Sequence, residues 1–408
     1  APFYAVAPAA ETLLVLQALV LGVAALPLYL LARKMLERDW QALLVAALWL
    51  THPAVGGANF YDFHPVAFSP LFLFSACYFW WCQRWRPFWV FIALLLSVKE
   101  ELSIIVVLLG IITLMGRNRR QGLQLMAVGS VAYLLLQHVV IPHFAGGDHS
   151  YAWYYTGMIP SGEGPQGLVT TALLNPVFTL DFMLTEAKTL FVFQLFAPLA
   201  FLSFFTLRGA VLVSYSLAAT LLASRPYLHQ LGFQYSLTLL ALAFIGALLA
   251  LHERPRAWRR RALAAAVLLG IITCFHYGMI WPRHHFTGGF HIIDFDYSEH
   301  DQKRYLQLRE VVDLIPPDAS VLAEETLAPH VAGRQTIATA RYARKGKPRR
   351  YDYILVHNKD ESIQPLYRVS YLDGLRRYEV ARRNEFFVLY ELRENDSLYV
   401  PDPALGNG

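Results

Sequence analysis

Lys99, Glu100 and Glu101 stand in succession in the middle of an otherwise apolar stretch that runs from Phe88 to Met115. A charged side chain at membrane depth costs about 2.5–3.5 kcal/mol on insertion scales, so three together persist only if they pair, reach water or serve a site. The residue types define the chemistry on offer. A lysine can hold a phosphate, and a carboxylate can act as general base or join the ligands of a metal ion. Glu100 is the first candidate base, Lys99 a candidate phosphate ligand and Glu101 a candidate metal ligand. The plainer reading is that Lys99 and Glu100 neutralise each other near the membrane surface.

Two further clusters could join them. Asp62-Phe63-His64-Pro65 lies where a polar loop turns into an apolar run, so Asp62 and His64 either flank a helix start, with Pro65 in its first turn, or face a cavity. There Asp62 would be a second carboxylate beside Glu100, able to activate a hydroxyl or hold a divalent ion, Mg or Mn. Arg225 precedes His229 and Gln234-Tyr235 in another polar loop. Arg225 can bind a phosphate or simply snorkel at a helix end, while His64, His229 and Tyr235 are candidates to contact substrate. Nine histidines (52, 64, 138, 143, 149, 229, 284, 285 and 291) fall on or near the same side, yet no pair has a zinc spacing. The basic stretch Arg341, Arg344, Lys345, Lys347, Arg349 and Arg350 reads as a solvated loop, or as a contact for anionic lipid or polymer.

The elements that must position these residues are membrane helices. Of the 18 Lys/Arg before position 284, 14 fall into five short gaps around Arg33, Arg84, Arg117, Arg208 and Arg254–Arg261. These gaps alternate along a series of apolar runs, and short basic loops mark the cytoplasmic side. Every candidate above then lies on the extracytoplasmic side. Runs long enough to span are 13–32, 40–56, 66–82, 122–141, 188–206, 209–223, 232–251 and 262–281. Residues 88–115 keep the alternation only as a hairpin with its tip at Ser97–Glu101. The expected architecture is a polytopic α-helical membrane protein of about eight crossings plus one hairpin.

Charge divides the chain. Residues 290–408 hold 17 Lys/Arg and 19 Asp/Glu, more than half of all the charge. The expectation is a transmembrane domain over 1–285 and an extracytoplasmic soluble α/β domain over 290–408. In the latter, Tyr305–Leu314 and Leu327–Ala332 read as helical, and Ser320–Ala323, Thr336–Thr339, Tyr351–Val356 and Phe386–Leu392 as strands. The net charge of +5 is mostly the positive-inside bias, so nucleic acid is not an expected partner. Cys77, Cys82 and Cys274 lie in apolar runs and give neither a disulfide framework nor a zinc spacing. With Ala1 first and no charged segment before an apolar core, no signal peptide is expected within the sequence, and the chain is expected to begin partway into its transmembrane domain.

Pro2-Phe3-Tyr4, Leu16-Gln17, Asp62-Phe63-His64, Lys99-Glu100-Glu101 and His229 with Gln234-Tyr235 together resemble the prokaryotic membrane family called domain of unknown function 2079. Leu314–Val321 and Leu327–Arg334 resemble that family's C-terminal region, so the likeness covers nearly the whole chain. It implies a GT-C-like architecture: glycosyltransferases that take a sugar from a polyprenyl-phosphate donor at the outer face of the cytoplasmic membrane. Such enzymes place an essential acidic residue in their first outer loop, a segment this sequence is expected to start beyond. On that resemblance Lys99 and Arg225 hold the donor phosphate, Glu100 and Asp62 act as base or metal ligands, and His64, His229 and Tyr235 line the pocket. The alternatives are a transporter or flippase without group transfer, and an interaction protein that binds envelope polymer.

Overall fold

The computed structural model describes residues 2–116, 118–145, 151–160, 163–281, 286–293, 297–339, 351–358 and 378–392. Arg117, His149, His284, His285 and the basic stretch Arg341–Arg350 lie outside the described residues. Contacts divide the chain into two units: residues 14–294, and residues 1–13 together with 295–408.

The first unit is built from apolar helices, and burial sorts them. Ser236–Glu253 is apolar on all sides and buried along nearly its whole length, the pattern of a helix enclosed by others. It packs on Ala25–Leu36, Ser69–Trp81 and Leu207–Leu221. Arg119–Leu135, by contrast, turns Leu123, Val131, Leu134 and Leu135 outward, which suits acyl chains and not water. Four helices are long and apolar enough to cross a membrane alone: Glu11–Leu36, Arg119–Phe144, Ser236–Glu253 and Arg256–Tyr277. Two bent pairs, Asp39–Thr51 with Pro53–Asn59 and Pro176–Met183 with Glu186–Leu199, raise the number to six. The expected eight is reached only by adding the shorter Pro65–Trp81 and Leu207–Leu221.

The bends have local causes. His52 sits between Asp39–Thr51 and Pro53–Asn59, its Nδ1 accepting from the Ala54 N–H and its Nε2 donating to the Leu195 carbonyl at 3.1 Å. One imidazole thus caps the second segment and fixes a 45° turn. At the 63° bend the Lys188 ammonium donates to the Phe182 carbonyl at 2.8 Å and lies over the Phe182 ring. Basic side chains close other helix ends: Arg259 donates to the Leu251 and Leu36 carbonyls, which have no partner within their own helices.

Residues 88–115 form two helices, Trp85–Leu96 and Leu102–Met115, broken at 97–101 where the sequence places a tip. Leu102–Met115 packs chiefly on Arg119–Leu135 through Gly110, Gly122 and Gly129. A Cβ on Gly122 would lie 2.7 Å from the Leu114 side chain and 2.9 Å from the Gly110 carbonyl, so only glycine permits this approach. A short hairpin, β1 (Phe286–Gly288) and β2 (His291–Ile293), turns at Gly289. Gly289 has φ +64°, and a Cβ there would strike the Tyr61 ring.

In the second unit Glu299–Val312 begins with a capping box, Ser298 and Asp301 each satisfying the other's backbone N–H. It covers a five-stranded sheet of β3 (Val321–Ala323), β4 (Ile337–Thr339), β5 (Tyr353–His357), β6 (Tyr378–Arg383) and β7 (Phe387–Leu392), in the order β4-β3-β5-β7-β6. β3 is parallel to β4 and β5, and β7 is antiparallel to β5 and β6. Leu308, Val311, Val321, Ala323, Leu355 and Leu389 form the core beneath the helix. Four of these strands match the β-branched runs in the sequence. β6 does not, because its YEVARR leaves most side chains exposed on an edge.

Candidate functional site

The break at 97–101 opens into a cavity of about 270 Å3. Lys99, Glu100 and Glu101 line it together with six tyrosines (133, 151, 154, 155, 215 and 235), Gln137, Ser216, Thr220 and Thr238. The walls come from Leu102–Met115, Arg119–Leu135 and its continuation, Leu207–Leu221 and the start of Ser236–Glu253. A further side is a short 3-10 turn, Tyr151–Tyr155. Its spacing of three and four residues directs Tyr151, Tyr154 and Tyr155 inward, while Trp153 remains partly exposed.

The charges within the cavity are not equivalent. Lys99 Nζ pairs with Glu101 Oε2 at 2.9 Å, so the expected neutralisation of Lys99 by Glu100 is replaced by pairing one residue further on. Glu100 instead accepts a hydrogen bond from the Tyr151 hydroxyl. Burial, and then the Glu100 charge, raises the Tyr151 phenol above its ordinary value; burial likewise raises Tyr154 and Tyr155. Burial raises Tyr235 too, with Lys99 opposing it. The phenols thus remain neutral donors around a carboxylate that, among the described residues, has no cation partner. Two carboxylates and one ammonium leave the cavity's own charges one unit negative.

The tyrosine turn is fastened from below. Ser224 N donates to the Tyr154 carbonyl at 2.8 Å, and Ser224 Oγ accepts from the Gly157 N–H at 2.7 Å. Arg225 Nε donates to the Trp153 carbonyl at 3.2 Å, with the guanidinium over the Trp153 ring. Arg225 therefore holds the cavity's wall and is not one of its lining residues.

A family model described as predicted membrane protein, DUF2079, matches residues 1–383. The chain belongs to this family. The search of curated proteins gives no match.

The remaining candidates of this DUF2079 protein lie elsewhere. Asp62 and His64 do not line the tyrosine cavity. Their loop is held by the buried Gln17, whose Nε2 donates to the Ala58 and Tyr61 carbonyls and whose Oε1 accepts from the His64 N–H. His64 stacks on Tyr61, and its Nδ1 donates to the Asp62 carbonyl at 2.8 Å, leaving Nε2 as the basic nitrogen. Burial, and then Asp62, pushes the Tyr61 phenol up to about 12. His229 lines a second cavity, of about 380 Å3. Of the eight sequence candidates, then, Lys99, Glu100, Glu101 and Tyr235 converge, while Asp62, His64, Arg225 and His229 do not join them.

Tyr151, Tyr154 and Tyr155 line the site but are not among the candidates drawn from the sequence. Their helical spacing was the available signal. Tyr133, Gln137 and Tyr215 gave none, since single polar residues in apolar helices do not reveal which face they occupy. Among the described residues no three His, Cys, Asp or Glu side chains gather as a metal site. Glu100 and Glu101 are the carboxylates that line the cavity, and each already has a partner, Tyr151 and Lys99.

Proposed function

We propose that this membrane protein is a GT-C-like glycosyltransferase that takes a sugar from a polyprenyl-phosphate donor, with the tyrosine cavity as the place where the sugar meets its acceptor. The observation that supports this reading is the convergence of Lys99, Glu100 and Glu101 with six tyrosines in one cavity. Neutral phenols offer donors and flat apolar faces to a polyol, and a carboxylate among them is a base. The arms leading to Glu100 are 12 and 14 residues long, about 18 and 21 Å at helical rise. Both are shorter than the hydrocarbon core of about 30 Å. With the basic ends of these arms at the cytoplasmic surface, the tip lies within the membrane's outer half, where a lipid-borne substrate can reach it.

The chemistry balances simply. The Glu100 carboxylate takes the proton of the acceptor hydroxyl as that oxygen bonds to the sugar's anomeric carbon. The bond from the anomeric carbon to the phosphate oxygen breaks, and polyprenyl phosphate leaves with the electron pair. Tyr151 orients Glu100 through its hydroxyl, and Lys99 offsets charge on the departing phosphate. A divalent cation bound at Glu100 and Glu101 would add positive charge at the same place. Asp62 has no step here, because it lies outside the cavity lining.

The test is sugar transfer by the purified full chain in lipid nanodiscs, supplied with a labelled polyprenyl-phosphate hexose and membrane extract as acceptor source. Wild type should release polyprenyl phosphate, and Glu100→Gln should slow release by about 100-fold or more, the usual contribution of a general base. Equal rates for the two proteins would remove Glu100 from the reaction. The second reading, a transporter, is favoured by one observation: two candidate spans are bent by 45° and 63° at breaks, as in helices that open around a midplane site. Uptake of an unmodified labelled sugar phosphate into proteoliposomes, with no release of polyprenyl phosphate, would decide for it.

A further inference from the structure

The second cavity has a different chemistry from the first. It is about 380 Å3 in volume and is lined by polar Gln194, His229, Gln230 and His276; among the described residues no carboxylate lines it. His229 is 9% exposed, and its Nδ1 is buried with no hydrogen-bond partner among the described residues. Lys188 is on the helix that supplies Gln194, and its charge, after burial, holds the His229 imidazole below its ordinary value. Lys188 thus acts electrostatically on His229, and among the described residues no lining carboxylate opposes it. At the rim Leu190, Phe275 and Trp281 are apolar and 40–56% exposed.

A polar floor without carboxylates, a lysine behind it and an apolar rim together describe a place for an anionic head on an apolar tail. We propose that this second cavity binds a phosphate group, with His229 and Gln194 as its hydrogen-bond donors and the chain of a lipid phosphate leaving over Leu190, Phe275 and Trp281. The two cavities share one wall. In the Pro226–His229 turn, Leu228 lines the tyrosine cavity and His229 lines this one. A phosphate here and its sugar beyond the turn would divide the donor between a site without acidic lining and one with net negative charge, an assignment that rests on the glycosyltransferase reading.

The probe is labelled decaprenyl phosphate, which carries no sugar, bound to the full chain in nanodiscs of neutral lipid. Wild type should bind it. His229→Ala and Gln194→Leu should each weaken binding about tenfold, the loss of one charge-assisted hydrogen bond, and His229→Gln should restore part of it. Monodispersity and thermal unfolding of each variant show whether it has folded, and the two substitutions lie on different elements, so both need not fail together. Displacement by excess inorganic phosphate assigns a free phosphate ligand, whereas displacement by unlabelled decaprenyl phosphate alone assigns the lipid-borne group. Equal binding to wild type, His229→Ala and Gln194→Leu overturns the site, as does equal displacement by the alcohol decaprenol. Because the probe has no sugar to transfer, failure here leaves the Glu100 test standing, and failure of that test leaves this one readable.

Discussion

At the residue scale, the charged triplet shows how adjacent residues separate into roles. Lys99 and Glu101 satisfy each other, which leaves Glu100 to the Tyr151 hydroxyl. Sequence identifies three expensive charges but cannot say which two will pair, because that depends on how the chain turns at 97–101. Gln17 shows the reverse: an unremarkable polar residue in an apolar run that makes three hydrogen bonds to the loop carrying Asp62 and His64. Gln17→Leu keeps the volume but strands the Ala58 and Tyr61 carbonyls and the His64 N–H. At about 1–3 kcal/mol for each buried group left unpaired, the thermal midpoint of the detergent-solubilised protein should fall by several degrees. An unchanged midpoint would mean that the loop is held by its ring contacts with Phe233 and Tyr61 instead.

At the element scale, much of the fold was legible because apolar runs and charge breaks are one-dimensional signals. The interruption at 97–101, the helices near 119–144, 236–253 and 256–277, and four of the five sheet strands all stand where the pattern puts them. The bends did not show. His52 turns one helix by bonding to Leu195, 143 positions away, and no local pattern encodes that partner. The site was half legible for the same reason: Lys99, Glu100 and Glu101 come from one turn, whereas Tyr133, Tyr215 and Tyr235 reach the cavity from separate helices. Close helix packing is testable directly. Gly122→Val would drive a side chain into Leu114 and the Gly110 carbonyl, while Gly22→Ala meets nothing within 4 Å. Overpacking costs about 1–3 kcal/mol. Gly122→Val should therefore lower the thermal midpoint and the yield of monodisperse protein, with Gly22→Ala close to wild type; equal behaviour of the two would refute the tight approach of these helices.

At the scale of the whole molecule, the charge distribution and the length of the helices make one joint statement about orientation. Basic residues cluster at Arg33, Lys34 and Arg38, at Arg84 and Arg86, at Arg119 and Arg120, at Arg208, and at Arg254–Arg261, each beside the end of an apolar helix. Alternate ends carry instead Asp62, the 151–160 segment and the Arg225–Tyr235 loop. On the positive-inside bias the basic ends are expected in the cytoplasm, and the residues after the last long helix, Arg256–Tyr277, are then expected outside. Eight crossings give that alternation; the six counted by length and bent pairs would leave Arg84, Arg120 and Arg208 on the opposite side from Arg33, so the alternation requires the shorter Pro65–Trp81 and Leu207–Leu221 to cross as well. Single cysteines at the exposed Glu163 and Asp313 should accordingly react with an impermeant thiol reagent in intact spheroplasts, and one at the exposed Arg120 only after permeabilisation. The parent protein is the control for Cys77, Cys82 and Cys274, which lie in or at the ends of apolar helices. Labelling of Arg120→Cys before permeabilisation, with Glu163→Cys and Asp313→Cys protected, would invert the molecule, turn the tyrosine cavity toward the cytoplasm and take the outer-face sugar donor out of reach.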